Sequence, residues 1–174
     1  MATKLRRFVP DRGQRIAAIR HVVYEYGNLM AAGYYSIHGG APWRTNCDDA
    51  FLLGCRKLDD FLMKENRTIK DGQELDDVLA LDYLPANPAR NWRLTIWTAE
   101  WRGAMNKQLT HIAYSRDKEW NHLEWVPQLE AEFNTAWWDF RETIADNEYR
   151  QEFEKQLAAC QLKPGFGNIV LHRR

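Results

Sequence analysis

The stretch from Val126 to Ile144 reads VPQLEAEFNTAWWDFRETI, and its apolar residues Val126, Leu129, Phe133, Trp137, Phe140 and Ile144 recur at steps of three and four. At about 100° of rotation per residue, that spacing lines the six along one side of a helix. Pro127 suits a first helical position, where its missing N–H costs nothing, so the helix is expected to begin there.

The same reading extends in both directions. Downstream, Asp146 is placed to cap a helix whose inward face is Tyr149, Phe153 and Leu157, and Pro164, Gly165 and Gly167 end regular structure. Upstream, Leu94, Trp97, Trp101, Met105, Leu109 and Ile112 predict a long helix from about Asn91 to Tyr114. Phe51, Cys55, Leu58 and Leu62 predict another, capped by Thr45 or Asn46, with Asp48 and Asp49 against the positive end of its dipole. A first helix is expected from Gln14 to about Tyr35, capped by Asp11 and facing inward with Ile16, Ile19, Val23, Tyr26 and Met30. Between these lie a Gly- and Pro-bearing loop over Ser36 to Arg44, a polar loop over Glu65 to Gln73, and a short acidic helical turn over Leu75 to Leu81 closed by Pro85 and Pro88. No run of alternating strand residues competes. The expected fold is all-α, an antiparallel helical bundle of about five helices. It forms a single domain over residues 1–174, with loose termini at about 1–10 and 164–174.

Bulk composition narrows the function classes. Twenty-four basic residues balance twenty-four acidic ones, so no global field draws the chain onto nucleic acid or an anionic membrane, and any such contact must be local. Cys47 and Cys55 fall on one predicted helix about 12 Å apart, too far to pair. With Cys160 they read as three reduced thiols of a cytoplasmic protein. The apolar runs are too short to span a bilayer, so no membrane partner is expected. There is no GxSxG, GxxxxGK or GxGxxG, and no cofactor is implied.

Several polar constellations stand out. Glu100, Lys107 and His111 share one face of the third predicted helix with Tyr114 beside them, a stripe in which His111 can exchange protons and Lys107 supply charge. His21 and Glu25, at i and i+4 on the first helix, make at most half of a metal site, because no second HxxxH or ExxH pair accompanies them. Asp76, Asp77 and Asp82 read as helix caps and loop solubilisers. Of the tryptophans, Trp97, Trp101 and Trp137 lie on core stripes, whereas Trp92, Trp120, Trp125 and Trp138 lie off or beside them, so that one or two are expected as exposed anchors for a partner or a second copy of the chain.

The segment MNKQLTHIAYSR, Met105 to Arg116, resembles the late-helix motif of the HEPN-like superfamily, and AFLLGCRKLDDFL, Ala50 to Leu62, is similar to the helix preceding it in uncharacterised bacterial members. With Ile19 to Glu25 the resemblance covers most of residues 16–116. It implies a helical bundle and, for active members, metal-independent RNA cleavage by an arginine a few residues ahead of a histidine. His111 matches the histidine. The arginine's positions hold Ala104, Met105 and Asn106, which carry no guanidinium, and Arg102 lies about 900° of helical rotation before His111, on the opposite face. The resemblance therefore implies a non-catalytic binding or assembly module, a homodimer, with Asn106, Lys107, Tyr114, Arg116 and Glu100 as ligand or interface residues. The alternative is an RNA-cleaving or RNA-binding protein of a toxin or defence system, with RNA or a protein as partner and His111 as the catalytic residue.

Overall fold

The computed structural model describes residues 5–40, 43–85, 90–103 and 122–161. Helix α1 spans Arg12–His38 and opens on a capping box: Asp11 accepts from the Gln14 amide at 2.8 Å while the Gln14 side chain accepts from the Asp11 amide at 2.9 Å. Ile19, Val23, Tyr26 and Met30 are buried as expected, joined by Val22 and Leu29, whereas Ile16 is only partly covered. The helix continues through Ser36, expected in a loop, because Ser36 is buried and its hydroxyl donates to Asp48 across the interhelical turn.

Helix α2 spans Trp43–Met63 and so begins ahead of the expected start at Thr45 or Asn46. Its predicted stripe of Phe51, Cys55, Leu58 and Leu62 is at most 1% exposed. Gly54 lets α1 close on this helix, since a Cβ there would meet Leu29 at 3.0 to 3.3 Å.

The loop expected over Glu65 to Gln73 holds a small antiparallel hairpin, β1 (Ile69–Lys70) and β2 (Gln73–Glu74). Asp71 and Gly72 turn it with φ of 51° and 76°, the paired positive values of a tight primed turn, for which Asp-Gly is a favoured dipeptide. Arg6 joins this hairpin in parallel, exchanging backbone hydrogen bonds with Gly72 and Glu74, and the Phe8 amide donates to the Glu74 carboxylate at 3.0 Å. Arg6 and Phe8 are thus fastened rather than loose. The helical turn expected over Leu75 to Leu81 appears later, as a 3₁₀ turn over Ala80–Tyr83, because Asp82 accepts from the Leu79 amide at 2.9 Å and fixes the turn there.

Residues 90–98 are not helical, which corrects the predicted start at Asn91. The Glu132 carboxylate accepts from the amides of Thr95, Ile96 and Trp97 and from the Thr95 hydroxyl, holding this stretch in a bend. Helix α3 then starts at residue 99, with Thr98 Oγ1 accepting from the Trp101 amide, and is described through residue 103. Helix α4 spans His122–Thr143, placing Pro127 inside it rather than at its start. Val126, Leu129, Phe133, Trp137, Phe140 and Ile144 are all fully buried. Helix α5 spans Asn147–Gln161, capped by Asp146, which accepts from the Glu148 and Tyr149 amides, and buries Tyr149, Phe153 and Leu157. The expected tail from Pro164 lies outside the described residues.

α1 packs most extensively on α2 and also meets α4 and α5, giving the all-α bundle that the periodicity predicts. No described helix is long and apolar enough to cross a membrane. Trp92, Trp125 and Trp138 are 2%, 7% and 9% exposed, so they are core residues and not surface anchors. α4 is covered on more than one side, and the late start of α3 lets Trp92 tuck against α2, its Nε1 donating to the Leu62 carbonyl at 3.2 Å. Trp101 is only partly buried, and Trp120 lies outside the described residues.

Buried Asn134 accepts two hydrogen bonds through one oxygen, from the Tyr26 hydroxyl at 2.6 Å and from Trp138 Nε1 at 3.0 Å, tying α1 to α4. Asn134→Leu leaves both donors unsatisfied and is expected to lower stability by roughly 2 to 4 kcal/mol, against about 1 kcal/mol for Tyr26→Phe. Denaturant unfolding of both variants and the double mutant measures this, and additivity would contradict the coupling.

Candidate functional site

Of the residues singled out for chemistry, Asn106, Lys107, His111, Tyr114 and Arg116 lie outside the described residues. Glu100 is exposed in the first turn of α3. Glu25 turns its carboxylate to Lys57 of α2 at 2.8 Å, while His21 accepts at Nε2 from the neighbouring Arg20 Nε at 3.3 Å. Among the described residues no three His, Cys, Asp or Glu side chains come together to hold a metal ion.

His21 nevertheless lines a groove of about 310 Å³, a size at the lower end for small-ligand pockets. Its helical wall is the first turns of α1, where Gln14, Ala17, Ala18 and His21 stand at i, i+3, i+4 and i+7 on one face and the two alanines leave the space. The opposite wall is the extended Asp76 to Val78 stretch with Tyr83, and Phe8 and Pro10 also contribute. These walls exist because the 3₁₀ turn places Tyr83, whose hydroxyl donates to the Arg15 carbonyl at 3.0 Å, and because Arg6 and Phe8 are bound to the hairpin.

Charge in the groove is unevenly satisfied. Arg67 and Asp82 form a nearly buried ion pair at 2.5 Å, with Arg67 also over the Phe8 ring. Asp77 accepts from Lys64 and from the Thr68 amide; burial alone would raise its carboxyl, but these bonds outweigh it and hold the group below the usual range. The acidic trio is thus largely structural, as its capping pattern suggests. Arg15 is half-buried, its Nε is sealed from solvent without an acceptor, and no carboxylate among the described residues pairs with it. Nothing in the sequence singled out Arg15 or Phe8, because a groove built by segments far apart in the chain leaves no local spacing.

A second polar feature joins α2 to α3. Asp59 is 6% exposed, its Oδ2 forms an ion pair with Arg102 Nε at 3.0 Å, and its Oδ1 is sealed from solvent. Burial raises its carboxyl above the ordinary range despite the arginine. One turn earlier, burial also pushes the Cys55 thiol well up, which removes it as a nucleophile. No disulfide joins Cys47, Cys55 or Cys160.

The chain matches no protein-family model, no curated protein and no solved structure.

The raised carboxyl of Asp59 has a definite sign in the pH dependence of stability. Below the ordinary value of 3.8 it is protonated whether the chain is folded or not, and its contribution is full; that contribution is lost as pH rises through the raised folded value. Asp77, held low, acts oppositely and loses its contribution as pH falls. Asp59→Asn is therefore expected to gain stability relative to wild type as pH rises from 3.8 toward neutrality, measured by thermal unfolding across pH. A relative loss over that range would show that the Arg102 ion pair outweighs burial.

Proposed function

We propose that this chain is a cytoplasmic, HEPN-like binding or assembly module that works as a homodimer without cleaving RNA. The observation that supports it most is the engagement of Arg102. It is the nearest arginine ahead of His111, and its Nε is committed to the buried carboxylate of Asp59, which fixes the start of α3 to α2. A guanidinium used in this way serves the scaffold, and positions 104–106 supply no replacement. A histidine without such a partner retains hydrogen-bonding and charge but lacks the fork that grips a phosphodiester.

In this reading Glu100, Asn106, Lys107, His111, Tyr114 and Arg116 organise the contact between two copies or with a protein or RNA partner. The exposure of Glu100 at the head of α3 is compatible with that role.

Sedimentation is expected to give a dimer at micromolar concentration, weakened at least tenfold, about 1.4 kcal/mol, by His111→Ala or Arg116→Glu with the melting temperature nearly unchanged. A monomer at every concentration, with no partner retained, removes this reading. Incubation of the folded protein with a broad RNA panel in chelator is expected to leave the RNA intact. Cleavage that disappears in His111→Ala would instead establish a ribonuclease.

A further inference from the structure

We infer that the groove beside the first two turns of α1 binds a small amphipathic monocarboxylate, its carboxylate at Arg15 and Arg20 and its apolar body over Ala18, Val78 and Tyr83. The inference deepens the proposal of a binding module by naming a ligand class, and it does not depend on dimerisation.

The charge of the lining carries the choice. Of the three acidic groups there, Asp82 is neutralised by Arg67 and Asp77 by Lys64, which leaves Asp76, an exposed residue. Against it stand Arg15 and Arg20, neither of which pairs with a carboxylate among the described residues. A half-buried guanidinium without a counter-ion is costly, and a charge-assisted hydrogen bond to a carboxylate relieves that cost. Arg15 lines the groove, and its Nε is sealed inside the fold without an acceptor.

Shape limits the remainder of the ligand. A space of about 310 Å³ holds one ring or a short alkyl chain and not a polymer. Its apolar surfaces are the two alanine methyls of α1 and, across from them, Val78 and the Tyr83 ring, with Phe8 and Pro10 beyond. An apolar body of that size removes enough surface from water to assist the ion pair. A fully ionic ligand would leave those surfaces unused.

Titration calorimetry on the full chain with 3-phenylpropionate, octanoate and the neutral 3-phenylpropionamide tests this directly. Saturable one-to-one binding of at least one carboxylate is expected, tenfold or more tighter than the amide, and the stronger of the two acids tells whether the apolar body is aromatic or aliphatic. Arg15→Gln is expected to cost the carboxylate tenfold while leaving the amide unaffected. Ala18→Leu fills the groove and should abolish binding of all three, with the thermal unfolding of each variant confirming that it folds. Equal affinity for acid and amide overturns the anionic choice while keeping a binding groove. Absence of saturable binding by any of the three, or binding indifferent to Ala18→Leu, overturns the site itself; the sedimentation experiment above decides the assembly reading separately.

Discussion

Phe140 is fully buried, and its ring lies 5.1 to 6.4 Å from the rings of Phe61, Tyr83, Trp92, Trp137 and Phe153. Those five rings come from α2, the 3₁₀ turn, the segment before α3, α4 itself and α5, so one side chain is the common contact of five chain segments. Most of the pairs are edge-to-face, the geometry the ring quadrupole favours. α1 joins through Trp137, which stacks on Tyr26 with centroids 4.3 Å apart and planes within 5°. The groove inherits this arrangement, because Tyr83 presents one edge to the aromatic cluster while lining the groove and holding the Arg15 carbonyl.

Around that core, acidic side chains are spent on backbone. Asp11 and Asp146 cap α1 and α5, Asp82 sets the 3₁₀ turn, and Glu132 holds three consecutive amides ahead of α3. Buried amides need such acceptors wherever a helix does not supply them. The balance of formal charge therefore conceals a division of labour: many carboxylates close helix ends or meet a neighbouring cation. Arg15 lacks such a partner among the described residues, whereas Asp77 and Asp82 beside it in the groove are already matched by Lys64 and Arg67.

Sequence periodicity located the core of α4 residue by residue, and the stripes of α2 and α5 with it, because each buries one side against the centre. Caps at Asp11 and Asp146 were legible for the same reason: their partners lie within one turn. What escaped was set by distant residues. The delayed start of α3 depends on Glu132, some 35 positions away, and the burial of Trp138 beside Trp137 depends on Asn134 and on neighbouring helices. The hairpin was readable in Asp71-Gly72, a dipeptide whose turn preference outweighs the polar character of its surroundings. Of the candidate site, His21 and the acidic trio Asp76, Asp77 and Asp82 were singled out and also line the groove; Arg15, Phe8 and Tyr83 meet only through tertiary packing.

The attachment of Arg6 and Phe8 to the hairpin bears on the order in which the protein assembles. The Asp71-Gly72 turn closes locally, on the microsecond scale of about 1 to 10 μs for hairpins, whereas the Phe8 amide reaches Glu74 across 66 positions. A contact of that span waits for the intervening helices to dock, since the closure entropy is recovered only once they are in place. The segment that completes the groove therefore closes the longer loop, and the hairpin turn the shorter one. Held by a few backbone hydrogen bonds at the surface, that segment is also the part of the wall that detaches at least cost in the native state. Opening of the groove is in this way separated energetically from unfolding of the aromatic core.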